Sequence, residues 1–191
     1  MAFEIETKLK VDLFDEIESR LRELGANFVD EKMQTDYYLD KDDRALTKSD
    51  SCLRLRVVRI DDDIFADITY KGAKQKSDVK KRQEIVLEVS DAETALAIFA
   101  AIGYEKQLVI EKKRRCYDFA GCEVLLDELA LLGNFVEIEG PDEKMIASVQ
   151  CQLDLSGLKH IEQSYAELME SKLAELGITQ KEIHLETEGN D

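Results

Sequence analysis

At 191 residues, with 44% hydrophobic and 36% charged side chains, the chain is long enough for one domain with its own core and too apolar to be disordered. A formal net charge of -16 argues against nucleic acid as a partner, because a phosphate backbone would meet repulsion nearly everywhere, whereas a small polyanion needs only a local concentration of basic side chains. The longest apolar run lies within Ala95–Ile102, short of the roughly 18 residues that cross a bilayer, and Phe3-Glu4-Ile5-Glu6 lacks a signal pattern, so a cytoplasmic location and no membrane partner are expected.

From Phe3 to Val11 the residues alternate, with Phe3, Ile5, Leu9 and Val11 on one side and Glu4, Glu6, Lys8 and Lys10 on the other, which predicts a half-buried strand. Asp12 is placed to cap a helix whose Leu13, Ile17, Leu21 and Leu24 form a stripe of helical period, and Gly25 suits the position after its end. Further strands are predicted around Phe28–Leu39, Cys52–Ile60, Ile64–Lys71, Arg82–Val89, Gln107–Phe119, Glu123–Asp127 and Asn134–Glu139. Asp61-Asp62-Asp63 and Ala120-Gly121 are short enough to close hairpins, so neighbouring strands should run antiparallel. A second helix is expected over Asp91–Ile102, capped by Ser90 and stopped at Gly103, and a third near Met145–Cys151, started by Pro141, Asp142 and Glu143. A fourth runs from about Glu162 to Leu176 and ends at Gly177. Past Ile178 the sequence is acidic and aperiodic, giving one domain over 1–177 and a frayed tail over 178–191. Eight antiparallel strands make either a sandwich or a closed barrel, and closure removes exposed edges.

The polar faces carry the chemistry. Glu4, Glu6 and Lys8, then Arg54 and Arg56, Arg82, Glu84 and Glu88, and Glu137 and Glu139 recur at alternate positions opposite apolar ones. One reading is a sheet with its polar face in water, decorated by weak surface ion pairs. The other turns these faces inward. Arginine presents a planar fork of donors suited to phosphate oxygens, and the Glu4/Glu6 and Glu137/Glu139 pairs offer hard oxygen ligands suited to Mg²⁺ or Mn²⁺. An inward arrangement would equip a tunnel for phosphoryl or nucleotidyl transfer. No GxxxxGK[ST] loop or GxGxxG turn is present, so side chains must hold the phosphates. Cys52, Cys116, Cys122 and Cys151 lack CxxC spacing and read as small buried residues, while His160 and His184 read as structural or solvated.

The run Glu4-Ile5-Glu6-Thr7-Lys8 forms an N-terminal ExExK motif. It is followed in order by Gln34-Thr35-Asp36-Tyr37-Tyr38, Leu53-Arg54-Leu55-Arg56, Thr69-Tyr70-Lys71-Gly72, Arg82-Gln83-Glu84, Lys112-Lys113-Arg114-Arg115, Leu126-Asp127-Glu128 and Gly133-Asn134-Phe135-Val136-Glu137-Ile138-Glu139-Gly140. Over about residues 2 to 175, this ordered set resembles the CYTH superfamily, or triphosphate tunnel metalloenzymes, and its class IV adenylyl cyclase (CyaB-like) branch. The resemblance implies an α+β fold: an eight-stranded antiparallel closed β-barrel, the triphosphate tunnel, with helices packed outside. It implies metal-binding roles for Glu4, Glu6, Glu137 and Glu139, and triphosphate-binding roles for Lys8, Arg54, Arg56, Lys71, Arg82, Lys112 and Arg114. Lys8, Glu84 and Asp127 are the expected catalytic residues, although Val86 interrupts the acidic alternation usual in the family. The choice of Lys112 and Arg114 over Lys113 and Arg115 rests on the resemblance, since periodicity cannot say which face points inward. Family members include cyclases, converting ATP to cyclic AMP and pyrophosphate, and triphosphatases, hydrolysing inorganic, thiamine or nucleoside triphosphates. A non-catalytic module binding phosphorylated ligands is the third reading. The resemblance is also compatible with a homodimer.

Overall fold

The computed structural model describes residues 5–73 and 83–185, so Glu4 and Arg82 lie outside the described residues. The chain runs β1 (Glu6–Val11), α1 (Asp15–Glu23), β2 (Asn27–Asp40), α2 (Ala45–Lys48), β3 (Cys52–Ile60), β4 (Asp63–Lys71) and β5 (Glu84–Val89). It continues through α3 (Ala92–Ala101), β6 (Glu105–Phe119), β7 (Cys122–Leu129), β8 (Gly133–Glu139), α4 (Glu143–Gln152), α5 (Tyr165–Leu176) and β9 (Glu182–Ile183). Each predicted strand and helix is found, and α2 and β9 are additional. The Ala120-Gly121 turn of the β6–β7 hairpin has φ of 51° and 78°, the left-handed pair that matches the twist of the flanking strands.

Caps decide the helix starts. Asp12 does not cap α1, whose N-cap is Phe14 without a side-chain bond. Asp91 rather than Ser90 caps α3, because its carboxylate reaches the Thr94 amide three residues on at 3.0 Å. At α5, Ser164 and Glu167 form a reciprocal capping box, and Gly177 ends the helix at φ 67°.

The strands form one sheet in the order β1-β8-β7-β6-β2-β3-β4-β5, antiparallel throughout, with β9 added parallel to β6. The expected closed barrel is corrected on this point: among the described residues no ladder joins β1 to β5, so hydrogen bonds do not close the sheet. Twist, with register shifts in β2 at Phe28/Asp30 and Tyr38/Leu39, curls the sheet instead. Residues of both edge strands, Glu6 and Lys8 on β1 and Glu84 and Glu88 on β5, consequently line one cavity.

The described part of the segment after Ile178 carries one further strand, β9. β7 pairs with β6 only from Lys112 onward, leaving backbone groups of the earlier part of β6 for another strand. β9 takes that edge at Val109–Ile110, Val109 N donates to Lys181 O at 2.7 Å, and Ile183 is buried.

The convex face is apolar and covered. Leu9, Val124, Leu126, Val136 and Ile138 pack against Ile17 and Leu21 of α1 and Ile146 and Val149 of α4, while Leu55 and Val57 pack under Ala95 of α3. Full burial of such side chains contributes about 1.5–3 kcal/mol each. The fourth predicted helix departs from the expectation that all helices pack outside. Tyr165, Met169 and Leu173 of α5 pack on Leu108, Ile110, Leu129 and Phe135, which share strand parity with Lys112, Arg114, Asp127 and Glu137. α5 therefore lies against the concave face and occupies one part of it.

Candidate active site

The concave face surrounds a cavity of about 1030 Å³. Most of its charged lining comes from alternate positions of six strands: Glu6 and Lys8 on β1, Arg54 and Arg56 on β3, Asp67 and Lys71 on β4, Glu84 and Glu88 on β5, Lys112 and Arg114 on β6, and Glu137 and Glu139 on β8; Asp40, Arg44, Asp50, Glu167 and Glu170 add to it from β2, α5 and around α2. Strand period places each pair on one face, and Leu55 between Arg54 and Arg56 and Ile138 between Glu137 and Glu139 point to the convex core. Every described residue expected at the site lines this cavity except Asp127, which lies beneath it with no exposed surface. Lys113 and Arg115 point away, toward Glu31 at 2.9 Å and Glu18 at 2.5 Å.

Ion pairs fix most of the cations in two groups. Arg56 grips Asp36 through both carboxylate oxygens at 2.6 and 2.8 Å, and Arg54 lies 3.8 Å from Asp36 and 3.9 Å from Asp67. Burial alone would raise the Asp36 carboxyl, but the Arg56 and Arg54 guanidiniums beside it hold it well below the usual carboxylate range. In the second group Asp127 accepts from Arg114 at 2.6 and 2.5 Å, from Lys112 at 3.0 Å and from the Tyr165 hydroxyl at 2.8 Å. Arg114 also bonds Glu137 at 2.5 Å, and Lys8 lies 3.3 Å from Glu137. Lys71 pairs with Glu84 across the β4–β5 ladder.

Sequence reasoning missed two of these groups. Asp36 stands in the Gln34–Tyr38 motif, and an acidic residue paired across the ladder with Arg56 marks it as part of the site. Tyr165 lies on a helix, where no strand period could point it inward. Its ring lies 4.0 Å below the Lys8 ammonium and 5.0 Å from that of Lys112, and its edge meets Phe135. Burial and the adjacent Asp127 push its phenol well above the usual value, so it remains a hydrogen-bond donor.

Burial, reinforced by Arg114, lowers Lys112 to about 8 despite Asp127. An unfolded lysine keeps its proton up to about pH 10.4, so this group makes the unliganded protein gain stability as pH rises from about 8 toward that value. A bound polyanion favours the charged ammonium and pulls the value back up. Binding of sulfate, a phosphate mimic with no proton to lose at pH 8.5, is therefore expected to take up a fraction of a proton when no divalent metal is present. Calorimetry in two buffers of different ionisation enthalpy should give different heats, and equal heats would exclude the linkage.

Glu6, Glu137 and Glu139 each offer a carboxylate oxygen, all within 4.8 Å of one another. Hard oxygen donors so grouped fit a small divalent cation and are a poor match for soft metals. Glu4 cannot be placed against them, since it lies outside the described residues. The cysteines are all free, with Cys116 and Cys122 buried and Cys151, contrary to the expectation of burial, exposed. His160 bonds Gln150, and His184 lies 3.8 Å from Glu111; neither lines the cavity.

The CYTH domain model matches residues 2–166, which contain every strand that lines the cavity. The chain belongs to the CYTH domain family. A Methanocaldococcus jannaschii relative named "Putative adenylate cyclase" is 34% identical over 136 residues, covering 71% of this chain and 75% of the relative. The solved PH1819 protein of Pyrococcus horikoshii OT3 superposes with a TM-score of 0.76 at 29% identity, covering 88% of this chain and 99% of that one. A Hippeastrum protein, described as a "putative adenylyl cyclase" with a dominant triphosphatase activity, shares the fold at a TM-score of 0.65 and 14% identity, over 94% of this chain and 98% of its own. Among the described residues no helix is long and apolar enough to cross a membrane.

Proposed function

We propose that this CYTH protein is a divalent-metal-dependent enzyme that acts on a triphosphate inside the cavity, and that its reaction is that of a class IV, CyaB-like adenylyl cyclase: ATP to cyclic AMP and pyrophosphate. The observation that carries the reading is the convergence of Lys8, Arg54, Arg56, Lys71, Lys112 and Arg114 on one cavity that also holds the Glu6/Glu137/Glu139 cluster. An anion-binding module needs the cations but has no use for three adjoining carboxylates.

In this reading the cations hold phosphate oxygens, and Arg82 is assigned to the same task from its motif. Prearranged cations offset charge developing on a leaving pyrophosphate without the reorganisation that water would require, an effect of several kcal/mol. Glu6, Glu137 and Glu139, with Glu4, would hold Mg²⁺ or Mn²⁺, which when bound supplies Lewis-acid polarisation of phosphate oxygens. Asp127 is assigned as a positioning residue: its low carboxyl and its bonds to Arg114, Lys112 and Tyr165 suit it to orienting cations and unsuit it to taking a proton. Glu84 lines the cavity beside Lys71 and is the nearer candidate for contact with substrate.

Cyclisation is preferred because the 34%-identical relative carries that name. Hydrolysis of the terminal phosphate is the second reading, favoured by the activity described for the Hippeastrum neighbour. Incubation with ATP, tripolyphosphate and thiamine triphosphate, each with Mg²⁺ and with Mn²⁺, distinguishes them by product. Cyclic AMP with pyrophosphate is the expected result, orthophosphate without cyclic AMP would establish the hydrolase, and no product from any substrate would leave only a binding function.

A further inference from the structure

Lys8 and Lys112, 3% and 2% exposed, are the most deeply buried of the described cations that line the cavity, and both ammoniums stand over one ring, that of Tyr165, at 4.0 and 5.0 Å from its centroid. Two like charges brought so close repel, and burial strengthens the repulsion. Each lysine has an anionic neighbour of its own, Glu137 at 3.3 Å from Lys8 and Asp127 at 3.0 Å from Lys112, and the ring is common to the two. The face of an aromatic ring carries negative density and attracts an ammonium more strongly where water is excluded. A buried tyrosine with a satisfied hydroxyl is ordinarily a packing residue. This one turns its face to two cations of the cavity.

The ring is itself fixed from several directions. Phe135 meets it edge to face, with centroids 5.3 Å apart and an interplanar angle of 76°. Its hydroxyl donates to Asp127 at 2.8 Å. Behind it, the reciprocal capping box locks the first turn of α5, Glu167 Oε2 accepting from the Ser164 amide at 2.6 Å, and Met169 and Leu173 anchor the following turns in the core. The same entry to the helix presents the Gln163 carbonyl, which accepts from Lys8 at 3.1 Å.

We infer that Tyr165 is a positioning residue of the anion clamp: its ring, rather than its hydroxyl, holds the Lys8 and Lys112 ammoniums together before a substrate arrives, which makes α5 a working part of the site. The inference rests on the triphosphate reading above and deepens it. Lysine stems have many rotamers, and ordering two of them at the moment of binding would weaken the complex. The ring removes that cost in advance. It lies beneath the ammoniums, so it does not compete with phosphate oxygens arriving from the cavity side. The repulsion between the two lysines is stored in the fold and relieved when a polyanion bridges them.

Calorimetric titration with tripolyphosphate at neutral pH, without divalent metal, tests the inference alongside melting temperatures. The proteins are the native chain, Tyr165→Phe, Tyr165→Leu and a chain carrying a trifluorinated phenylalanine at the same position. Tyr165→Phe keeps the ring and loses the bond to Asp127, so it should melt lower yet retain most of its affinity. Tyr165→Leu loses the ring face and should bind about 10-fold more weakly or worse, the effect of two lysines no longer held in place. The fluorinated ring has nearly the shape of phenylalanine but an electron-poor face, and it should bind more weakly than Tyr165→Phe at a similar melting temperature. Because its fold tracks that of Tyr165→Phe, this comparison decides the matter even if Tyr165→Leu does not fold. Equal affinities for the fluorinated and plain rings, or a loss in Tyr165→Phe as large as that in Tyr165→Leu, would overturn the inference while leaving the triphosphate reading intact. Failure of the native protein to bind tripolyphosphate would instead overturn the triphosphate reading and the inference with it.

Discussion

Asp127→Asn is expected to destabilise the protein by about 3–5 kcal/mol, the usual loss when one partner of a buried ion pair is removed. The carboxylate has no exposed surface and accepts four hydrogen bonds, from Arg114 twice, from Lys112 and from Tyr165. Asparagine keeps the shape and part of the bonding but not the charge. Lys112 and Arg114, both buried, would then repel each other, with Glu137 and the more distant Asp36 left to offset them. At roughly 2–4 °C per kcal/mol for a chain of this size, the melting temperature should fall by about 6–20 °C. The loss should shrink when tripolyphosphate is added, because the polyanion supplies the missing negative charge and binds the native state by mass action. A melting temperature within a few degrees of the parent would show that Asp127 does not hold the cations.

The second large effect is on turnover. Glu6→Gln is expected to lower metal-dependent activity by about 100-fold or more while shifting the melting temperature by no more than about 2–4 °C, the equivalent of roughly 1 kcal/mol. Glu6 belongs to the three-carboxylate cluster and is half-buried at the start of β1, whereas Glu137 is buried, so loss of the Glu6 charge removes a ligand at the less buried position. Glu137→Gln is a less clean test. Glu137 also holds Arg114 at 2.5 Å and Lys8 at 3.3 Å, and its loss would cost stability and activity together. Unaltered turnover in Glu6→Gln, measured across a range of Mn²⁺ concentrations, would remove the metal role from this cluster.

The strands that build the site were legible because alternation is a local property. Arg54 and Arg56, or Glu137 and Glu139, share a face whatever the rest of the chain does, since period two follows from the pleat. Turns and helix ends were legible for the same reason: Ala120-Gly121 and Gly177 adopt the left-handed conformations that such turns and caps need. The missed elements are the weakly coded ones. α2 has four residues, too few for a period to register, and Asp40 fixes its start by accepting from the Leu46 and Thr47 amides. β9 has two residues and exists because β6 offers it an edge.

Local pattern in the sequence settled that several strands carry an apolar and a charged face, which groups would share a face, and through the ordered motifs which family to expect. Only the tertiary structure decided which face is concave. Period two is symmetric under a one-residue slip, so Lys112 and Arg114 could not be told from Lys113 and Arg115 until α1 packed against the convex side and claimed Arg115 through Glu18. Tertiary structure also decided that the sheet curls without a hydrogen-bonded seam, and that α5 lies against the concave face with Tyr165 among the cations. Those outcomes depend on contacts between residues more than a hundred positions apart, such as Lys8 with Glu137 and Gln163, and no local pattern encodes them.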